Sequence, residues 1–367
     1  MHVLAVEVEP TRFAGGQERS LFEVCRELSN AGVEISLAYQ NQGDLLPDYR
    51  TFLTSEIHQK NRVFRVAKAI SFFVELLRML HFVKEKSIDI LYVNQYFDLP
   101  FYAILSKISG LPLVCHLRLP CPDYVSKQYR FGLNQCAGCL AISNHTKQTY
   151  VDAGFPGAKI DVLYNAIDTS ELISPMADSE SNPEIIKLIY VGRISREKGL
   201  DVLFKAFQLL RKSGKQAKLT ILGKERGSDV PENYREQLLN YVNDEFRGEV
   251  DFKGHAEHVD SEIMSHDIIV VPSVWPEPFG RVVLEGLRLG KPVICSRIGG
   301  MQEIFGGEEF FMFHPGDEKA LKEKIEQMVQ NPQKTTLKIE QLQQRMKAKF
   351  SYTNYADQWI EKVRNLI

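Results

Sequence analysis

Apolar positions in the first half of the chain fall into short runs, each followed by residues with helical spacing. Strands are predicted at 2–8, 35–39, 88–94, 113–116 and 140–143. A helix is expected from the Gly15-Gly16 turn to Leu28, and another from Pro100. Strands that alternate with helices in this way indicate a parallel sheet covered on both faces.

The alternation stops once and then starts again. Residues 174–183 are rich in Ser, Asp, Asn and Pro, which is typical of a linker. Beyond them, strands followed by helices are predicted at 185–190, 218–222, 250–253, 268–272 and 292–296. We therefore predict an α/β protein with two doubly wound, Rossmann-like domains, 1–173 and 184–351. Residues 352–367 form a last amphipathic helix with no strand after it.

The composition narrows the possible functions. A chain of 367 residues is longer than one hydrophobic core usually serves, so two domains are expected. Its 45 basic and 47 acidic side chains nearly cancel, whereas a nucleic-acid binder usually has a basic excess. No apolar run approaches the roughly 20 residues that span a bilayer. The first ten residues carry acids where a signal peptide would not. We expect a cytoplasmic protein that does not bind nucleic acid.

The six cysteines fit a protein with reduced thiols. Cys136 and Cys139 form a single Cys-x-x-Cys pair, with Cys121 upstream. A zinc site needs about four ligands, and no second pair stands at a suitable spacing. We therefore predict no metal site. Small buried side chains are the favoured interpretation of the cysteines, and a redox or metal role is the alternative.

Residues 60–86 differ from the other helical stretches in their charge. They hold seven Lys or Arg against two Glu, interleaved with aliphatic and aromatic residues. A basic amphipathic helix of this kind is typical of peripheral contact with an anionic membrane surface. A core-facing helix with a solvated basic side has the same pattern. The second interpretation is slightly favoured, because every helix of this fold must bury an apolar face.

The most informative stretch follows the strand predicted at 268–272. Pro278 suits the first position of a helix, since its missing N–H would have no partner there. The backbone N–H groups of Phe279, Gly280 and Arg281 would then be available to an anion, assisted by the helix dipole.

Two carboxylates flank this predicted anion site. Glu277 comes just before the helix, and Glu285 is expected about two turns into it. Acids beside an anion site suit a ligand that carries both phosphate groups and sugar hydroxyls. The sequence therefore predicts that the ligand is a nucleotide sugar.

Two basic residues follow another strand of the same half. Arg193 and Lys198 lie in the loop after the strand at 185–190. A guanidinium can hold two phosphate oxygens at once, and a lysine adds a point charge. Because ligands of open α/β sheets bind beyond the carboxyl ends of the strands, both residues are predicted to hold phosphate.

The first half contributes weaker signals. Gly15 and Gly16 form a strand-to-helix turn that lets backbone approach a ligand closely, but the full dinucleotide-binding spacing is absent. His116 is predicted to end its strand and to project from the sheet. A structural histidine and a partner for a sugar hydroxyl are equally open interpretations.

Together these motifs resemble the family 4 (group 1) glycosyltransferases, which have the two-domain GT-B fold. The matching motifs are Gly15-Gly16, His116, 141–143, 164–168, 191–193, Lys198-Gly199, 277–285, 291–294 and 299–303. The resemblance covers nearly the whole chain. It implies two Rossmann-like domains facing a central cleft, with the helix at 352–367 packed back on the first domain.

The resemblance also implies a reaction and roles for residues. The reaction is the retaining transfer of a sugar from a nucleotide-sugar donor to an acceptor hydroxyl, with no metal or other cofactor. Arg193 and Lys198 would hold the diphosphate and stabilise it as the leaving group. Glu285 would accept hydrogen bonds from the ribose, and Glu277 would contact the donor sugar.

Further roles follow from the same resemblance. Gly16 would bring backbone of the first domain to the diphosphate, and His116 would touch the transferred sugar. The backbone amides at Phe279 and Gly280 would meet the sugar or the distal phosphate. Arg281 stands where the family more often has an aliphatic residue, which suggests an extra phosphate or acceptor contact.

Three other functions share part of this pattern. They are a nucleotide-sugar epimerase of the same fold, a non-catalytic nucleotide-sugar-binding subunit and a dinucleotide-dependent oxidoreductase. The missing fingerprint glycine argues against the oxidoreductase. The retention of both bases and both acids argues against a degenerate subunit.

The nucleotide base, the sugar and the acceptor stay open. The basic stretch at 60–86 suggests a sugar or lipid-linked acceptor in cell-surface polysaccharide or glycolipid assembly, at the inner face of a membrane.

Overall fold

The chain forms two compact α/β units. The computed structural model describes residues 1–12, 16–60, 69–175, 184–225, 230–256 and 258–367. The first unit comprises Met1–Ala166 together with Tyr352–Ile367, and the second comprises Ile167–Ser351. Each unit has its own parallel sheet, so the predicted fold class of two doubly wound α/β domains is confirmed.

The boundary between the units differs from the predicted one. Residues 167–173 belong to the second unit rather than the first. Their backbone is bonded there: the Ile167 N–H donates to the Phe350 carbonyl at 2.7 Å, and the Ile173 N–H to the Arg288 carbonyl at 2.9 Å. The predicted linker, residues 174–183, starts directly after this bonded stretch, and residues 176–183 lie outside the described residues.

The described part of the first unit contains a seven-stranded parallel sheet with the order β3-β2-β1-β4-β5-β6-β7. Its strands are β1 His2–Glu7, β2 Glu34–Tyr39, β3 Ser55–His58, β4 Ile90–Val93, β5 Leu113–Leu117, β6 Gly138–Ala141 and β7 Ile160–Val162. The strand β1 is buried along its whole length, as a strand covered on both faces should be. Short β3 and β7 were not predicted.

Helices cover both faces of this sheet. They are α1 Gly16–Asn30, α2 Leu46–Tyr49, α3 Ala69–Glu85, α4 Leu99–Ser109, α5 Lys127–Gln135 and α6 Asn144–Asp152. Alternate residues of β1 enter two separate cores: Leu4 and Val6 pack with α3 and α4, whereas Val3 and Ala5 pack with α1. The period of two in a strand produces this division.

The described part of the second unit contains a six-stranded parallel sheet with the order β10-β9-β8-β11-β12-β13. Its strands are β8 Ile186–Val191, β9 Ala217–Leu222, β10 Val250–Gly254, β11 Ile268–Val271, β12 Val293–Ser296 and β13 Met312–Phe313. The central strands β8, β11 and β12 are neighbours. Their carboxyl ends therefore open onto the same edge of the sheet.

Eight helices accompany this sheet among the described residues. They are α7 Leu200–Lys212, α8 Tyr234–Leu239, α9 Asp244–Arg247, α10 Val259–Met264, α11 Arg281–Arg288, α12 Met301–Phe305, α13 Glu318–Gln330 and α14 Pro332–Lys349. In α7, buried residues recur every three or four positions, as in Leu200, Leu203 and Phe207. This spacing makes one apolar face that covers the sheet.

The last helix, α15 (Tyr355–Leu366), belongs to the first unit. Tyr355, Trp359 and Val363 recur every four residues and are buried in the core that also holds α1. The Trp359 ring meets the Tyr92 ring edge-on, with centroids 5.2 Å apart. The chain therefore leaves the first unit after Ala166 and returns to complete its core at Tyr352.

A helix needs about 20 predominantly apolar residues to span a bilayer. Within the described ranges, no helix has the length and hydrophobicity needed to cross a membrane.

Candidate functional site

Three loops meet at the carboxyl edge of the second sheet. They follow β8, β11 and β12 and span residues 192–199, 272–280 and 297–300. The Val274 and Trp275 N–H groups donate to the Glu197 carbonyl at 3.0 and 3.2 Å, which joins the first two loops. The Gly300 N–H donates to the Glu277 carbonyl at 2.7 Å, which joins the second and third. The charged side chains of these loops are thereby held close together.

Glycine makes the close approach of these loops possible. Gly199 has a φ of +65°, and a β-carbon there would collide with the Pro272 carbonyl oxygen. Gly299 has a φ of +62°, and a β-carbon there would lie 2.7 Å from Glu277 N. Both positions need a left-handed backbone and lack room for a side chain, which only glycine satisfies.

Lys198 and Glu277 form an ion pair between the first two loops. The Lys198 ammonium donates to Glu277 Oε1, and the two side chains are only 16% and 12% exposed. The Ser273 hydroxyl donates to the same carboxylate oxygen at 2.6 Å. The structure therefore brings together two of the predicted site residues, which are 79 positions apart in the sequence.

Arg193 lies beside this pair but is more open to solvent. Its side chain is 47% exposed, and Nη2 donates to Glu197 Oε1 at 2.9 Å. The Tyr190 hydroxyl donates to the Arg193 carbonyl at 2.5 Å and holds its backbone. An exposed ion pair of this kind contributes little to stability, so the guanidinium can exchange Glu197 for a ligand oxygen at small cost.

Helix α11 begins three residues later than predicted. Its first residue is Arg281 rather than Pro278, and Gly280 precedes it with a φ of +94°. A β-carbon at Gly280 would lie 2.6 Å from Met301 Cγ. The left-handed turn at Gly280 postpones the start of the helix. Of the three predicted anion-binding N–H groups, only that of Arg281 lies in the first turn of α11, and the Phe279 side chain is buried.

Glu285 lies about one turn into α11 rather than two, because of this later start. Its Oε1 is 3.5 Å from Arg281 Nε, and the two side chains are about equally shielded, at 16% and 15% exposed. Arg281 therefore contacts Glu285 from the preceding turn of the helix. Arg281, which departs from the family pattern, thus contacts Glu285, the predicted partner of the ribose.

A cavity in the second unit lies away from these loops. It has a volume of about 350 Å³ and is lined by residues that include Ile268, Lys291 and Thr335. Ile268 is the first residue of β11, and Lys291 precedes β12. This places the cavity at the amino edge of the sheet, whereas ligands of such sheets bind at the carboxyl edge.

In the first unit, His116 does not occupy the position predicted for it. It lies inside β5, which continues to Leu117, and its side chain is fully buried. The Tyr92 hydroxyl and His116 Nδ1 are hydrogen-bonded at 2.5 Å. Burial, followed by the charge of Arg118, holds the pKa of His116 well below its usual value. The imidazole is a neutral core group with no exposed edge for a sugar.

Arg118 is the residue that follows β5, and sequence reasoning missed it. Its side chain is buried, with Nε donating to Asn94 Oδ1 at 2.9 Å and Nη1 to Asn165 Oδ1 at 2.6 Å. Among the described residues, Arg118 forms no ion pair with a carboxylate, and its Nη2 has no hydrogen-bond partner. If the predicted strand had ended at Leu117 instead of His116, Arg118 would have been the first residue beyond it.

A buried carboxyl lies next to this arginine. Asn94 Nδ2 donates to Glu7 Oε2 at 3.2 Å and also to the Gln17 carbonyl in the first turn of α1. Burial and then the charge of Glu18 raise the pKa of Glu7 from 4.5 to about 8. The carboxyl edge of the first sheet is therefore lined with polar groups close to Gly16, the first residue of α1. Gly15, the other predicted glycine, lies outside the described residues.

The cysteines form no site of their own. All six are free thiols, and five are buried. A hydrogen bond with Cys139 and burial raise the pKa of the Cys136 thiol, while Cys121 is half-buried with a raised pKa. Thiols of this kind are poor nucleophiles. No cluster of three or more His, Cys, Asp or Glu suited to a metal ion occurs in the described ranges.

Comparison with known protein families gives two matches, one for each half of the chain. Residues 14–171 match the family described as Glycosyltransferase Family 4. Residues 176–349 match the family described as Glycosyl transferases group 1.

Curated relatives match over parts of their length. An uncharacterised 42.6 kDa protein from the cps region of Klebsiella pneumoniae is 31% identical over 166 residues, covering 45% of this chain and 39% of that protein. A glycogen synthase of Mycobacterium tuberculosis is 28% identical over 207 residues, covering 55% and 47%. The chain thus spans less than half the length of these two relatives.

Solved structures match over the whole chain. The Anabaena protein HepE, in complex with UDP-glucose, has a TM-score of 0.82 at 21% identity and covers 99% of both chains. The lipopolysaccharide outer core galactosyltransferase WaaB has a TM-score of 0.74 at 18% identity and covers 100% of both. With its two parallel sheets and both family matches, the chain belongs to the group 1, family 4 type glycosyltransferases with the GT-B fold.

Proposed function

We propose that this protein is a retaining glycosyltransferase that moves a sugar from a nucleotide-sugar donor to an acceptor hydroxyl. The observation that carries the proposal is the ion pair of Lys198 and Glu277 at the carboxyl edge of the second sheet. It places a cation and a carboxylate side by side, next to Arg193 and the first turn of α11. A ligand with phosphates at one end and hydroxyls at the other complements this arrangement.

Lys198 and Arg193 would act on the leaving group. When the glycosidic bond breaks, negative charge grows on the diphosphate oxygen. Cations that are already in position stabilise this charge without reorganisation, and the loss of one such group typically costs about a hundredfold or more in rate. Lys198 is held by Glu277, and Arg193 by Glu197, so donor phosphates would replace these carboxylates as partners.

Glu277 and Glu285 would bind hydroxyl groups. Once the donor phosphates engage Lys198, the Glu277 carboxylate is free to accept hydrogen bonds from the donor sugar, with Ser273 fixing its position. Glu285, one turn into α11, would accept from the ribose. The Arg281 N–H in the first turn of α11 and the positive end of the helix dipole would face the distal phosphate.

The relatives suggest a donor and a pathway class. HepE is solved with UDP-glucose, which makes a UDP-hexose the first donor to test. Relatives include a capsular polysaccharide biosynthesis glycosyltransferase of Staphylococcus aureus, 30% identical over 142 residues that cover 38% of this chain and 36% of that protein. We therefore propose a hexosyltransferase of cell-surface polysaccharide or glycolipid assembly. It would be cytoplasmic, with peripheral contact at the inner face of the membrane through residues 60–86.

We also propose that transfer needs no metal or other cofactor. In this scheme Lys198 and Arg193 supply the positive charge that a divalent cation would otherwise supply to the diphosphate. Transfer should then continue at an unchanged rate in the presence of EDTA.

The first experiment is a thermal-shift panel of UDP-, GDP-, ADP-, dTDP- and CMP-sugars, with and without EDTA. A ligand at a hundredfold excess over its Kd stabilises the native state by about 2.7 kcal/mol, so the matching nucleotide series should raise the Tm. Arg193→Ala should abolish the rise. Lys212→Ala removes the same charge from the far end of α7 and should leave the rise unchanged.

Turnover of the identified donor then separates the alternatives. Transfer to an acceptor supports the proposal, conversion to an epimeric nucleotide sugar supports the epimerase, and binding without turnover supports a non-catalytic subunit. Lys198→Ala should lower transfer by about a hundredfold or more. Glu285→Ala should raise the KM for the donor more than it lowers kcat. A wild-type rate from Arg193→Ala would overturn the assignment of the phosphate site.

A further inference from the structure

Helix α3 of the first unit packs its inner face against the protein. The residues of this face are buried and are Phe72, Glu75, Leu76, Met79, Phe82 and Val83. The Phe72 ring meets the Phe101 ring of α4 edge-on, with centroids 5.4 Å apart. This inner face satisfies the requirement that a helix on a sheet bury an apolar stripe.

The outer face of α3 is also apolar, which differs from the slightly favoured interpretation of a core-facing helix with a solvated basic side. Ile70, Phe73, Val74 and Leu77 are 83%, 55%, 59% and 66% exposed. Their spacing of three, four and seven positions places them together on one side of the helix. We call these four residues the outer apolar face. The expected solvated basic side is absent from this part of α3, so large apolar side chains are left in contact with water at a cost in free energy.

Basic groups border this face. One turn beyond Leu77, the outward residues of α3 become polar, with His81 and Lys84 exposed. Lys60, before the helix, is exposed as well. The stretch 60–86 contains seven basic and two acidic residues, although the whole chain has a net charge of −2.

The acids of this stretch do not cancel its positive charge. The Glu75 side chain is only 4% exposed and is paired with Arg78 at 2.6 Å, with the Lys60 N–H donating to the same oxygen at 3.1 Å. Glu85 is paired with Lys86 at 2.7 Å. Within the described ranges, Lys84 and Lys60 form no ion pair, so they are left as positive charges at the two ends of α3.

We propose that the outer apolar face is a membrane-docking surface whose partner is an anionic lipid bilayer. Helix α3 has 17 residues and is about 25 Å long. It would lie in the plane of the interface, with Ile70, Phe73, Val74 and Leu77 among the upper acyl chains and Lys84 among the headgroups. The exposed Lys60 and Lys84 select an anionic surface over a neutral one. Docking rests on α3 and these two flanking lysines, while its link to a lipid-linked acceptor rests on the proposed function.

The test is co-sedimentation of the full chain with vesicles. One set contains phosphatidylcholine with phosphatidylglycerol, and the other contains phosphatidylcholine alone. The wild type should bind the first set more tightly, and high salt should weaken this binding, since headgroup charges are screened.

Two substitutions on the outer apolar face give the decisive variant. Phe73→Ser with Leu77→Ser should lower binding to anionic vesicles by about a hundredfold, roughly tenfold for each large apolar side chain withdrawn from the acyl region. Both side chains are more than half exposed, so the fold should be retained. The matched control is Leu337→Ser, which changes a leucine that is 60% exposed on α14 and should bind vesicles like the wild type.

Three outcomes would overturn the proposal. The first is that the double variant binds anionic vesicles as tightly as the wild type, and the second is that the wild type binds neither set. The third is that the wild type is a dimer by light scattering and the double variant a monomer, which would make this face a contact between copies of the chain. Nucleotide-sugar thermal shifts in the absence of vesicles should be equal in all variants. If the wild type also shows no nucleotide-sugar thermal shift, the result counts against the proposed function and not against membrane docking.

Discussion

At the residue scale, the ion pair of Lys198 and Glu277 explains how one site can bind two kinds of chemical group. Neither side chain is open to solvent by more than 16%, so each charge depends on the other in the absence of ligand. A donor that carries both phosphate and hydroxyl groups satisfies both residues at once. A free phosphate would satisfy only Lys198 and leave a shielded carboxylate unpaired, which is unfavourable. In the proposed site, the pair would therefore favour a nucleotide sugar over a simple anion.

A second residue-scale feature concerns stability. The pKa of Glu7 is raised from 4.5 to about 8, chiefly by burial. Between these values the folded protein keeps a proton that the unfolded chain releases. The free energy of unfolding should therefore fall as the pH rises from about 4.5 to 8, by an amount on the order of 5 kcal/mol at about 1.4 kcal/mol per unit.

Denaturant unfolding at several pH values tests this prediction. Glu7→Gln removes the titrating group, so its free energy of unfolding should fall less with rising pH. The stability of the variant relative to the wild type should therefore increase as the pH rises. Glu9→Gln, an exposed neighbour, should follow the wild-type curve. Parallel curves for Glu7→Gln and the wild type would show that Glu7 is not the group responsible.

At the element scale, loop geometry decides where the start of α11 lies and how Glu277 is held. The loop after β12 presents the backbone of Gly299 and Gly300 to Glu277, with no side chain between them. The position of Glu277 thus depends on a loop 20 or more residues further along the chain. Small changes in that loop should affect ligand binding without touching a charged residue.

Two glycine substitutions test this dependence. Gly299→Ala places a β-carbon 2.7 Å from Glu277 N, whereas Gly316→Ala meets no atom within 4 Å, and both glycines have positive φ. Each variant should lose about 1–2 kcal/mol of stability from the left-handed backbone. Only Gly299→Ala should also lose the nucleotide-sugar thermal shift. If both variants keep an equal nucleotide-sugar thermal shift, ligand binding does not depend on the approach of Gly299 to Glu277.

At the scale of the whole molecule, each unit has a separate core, and the chain passes between the units twice. The first unit is complete only when α15 returns to it, because Tyr355, Trp359 and Val363 fill the core above α1. The stability of the first unit therefore depends on the last residues of the chain. The nucleotide-sugar site proposed here lies on the other unit.

Trp359→Ala tests this arrangement. Removal of a fully buried tryptophan should cost about 3–5 kcal/mol. Hydrogen exchange should accelerate in peptides of residues 1–166, while the second unit keeps its response to a nucleotide sugar. Phe204→Ala, at a fully buried residue of α7, should produce the reverse pattern. Equal acceleration in both units from either variant would indicate that they unfold together.

Much of the fold and part of the site were predictable from the sequence. Both parallel sheets followed from the alternation of apolar runs and helical spacing, because burial on both faces forces that pattern. The predicted strand at 268–272 is observed as β11, whereas Glu285 lies one turn into α11 instead of the predicted two. Short strands such as β7 were missed, since three residues carry too little pattern.

The errors have local causes. The start of α11 was placed at Pro278 from a general preference, but the left-handed turn at Gly280 interrupts the helix before Arg281. The end of β5 was placed one residue early, which put His116 at the edge of the sheet and left Arg118 unnoticed. Residues inside a strand are fixed in the sheet, whereas the residues just beyond its carboxyl end lie where ligands bind, so an error of one residue changes the functional assignment.

The sequence by itself determined the fold class, the two-domain plan and the types of charged residue at the strand ends, because these depend on local periodicity and composition. Only the tertiary structure decided which charges meet. Lys198 and Glu277 are joined because β8 and β11 are neighbours in the sheet, and His116 is removed from the site because its side chain faces the core. For α3, the sequence left two interpretations open, and only the structure identified the outer apolar face. When a helix has apolar residues on two sides, the sequence does not tell which side is buried. The packing of the rest of the protein decides which side stays exposed.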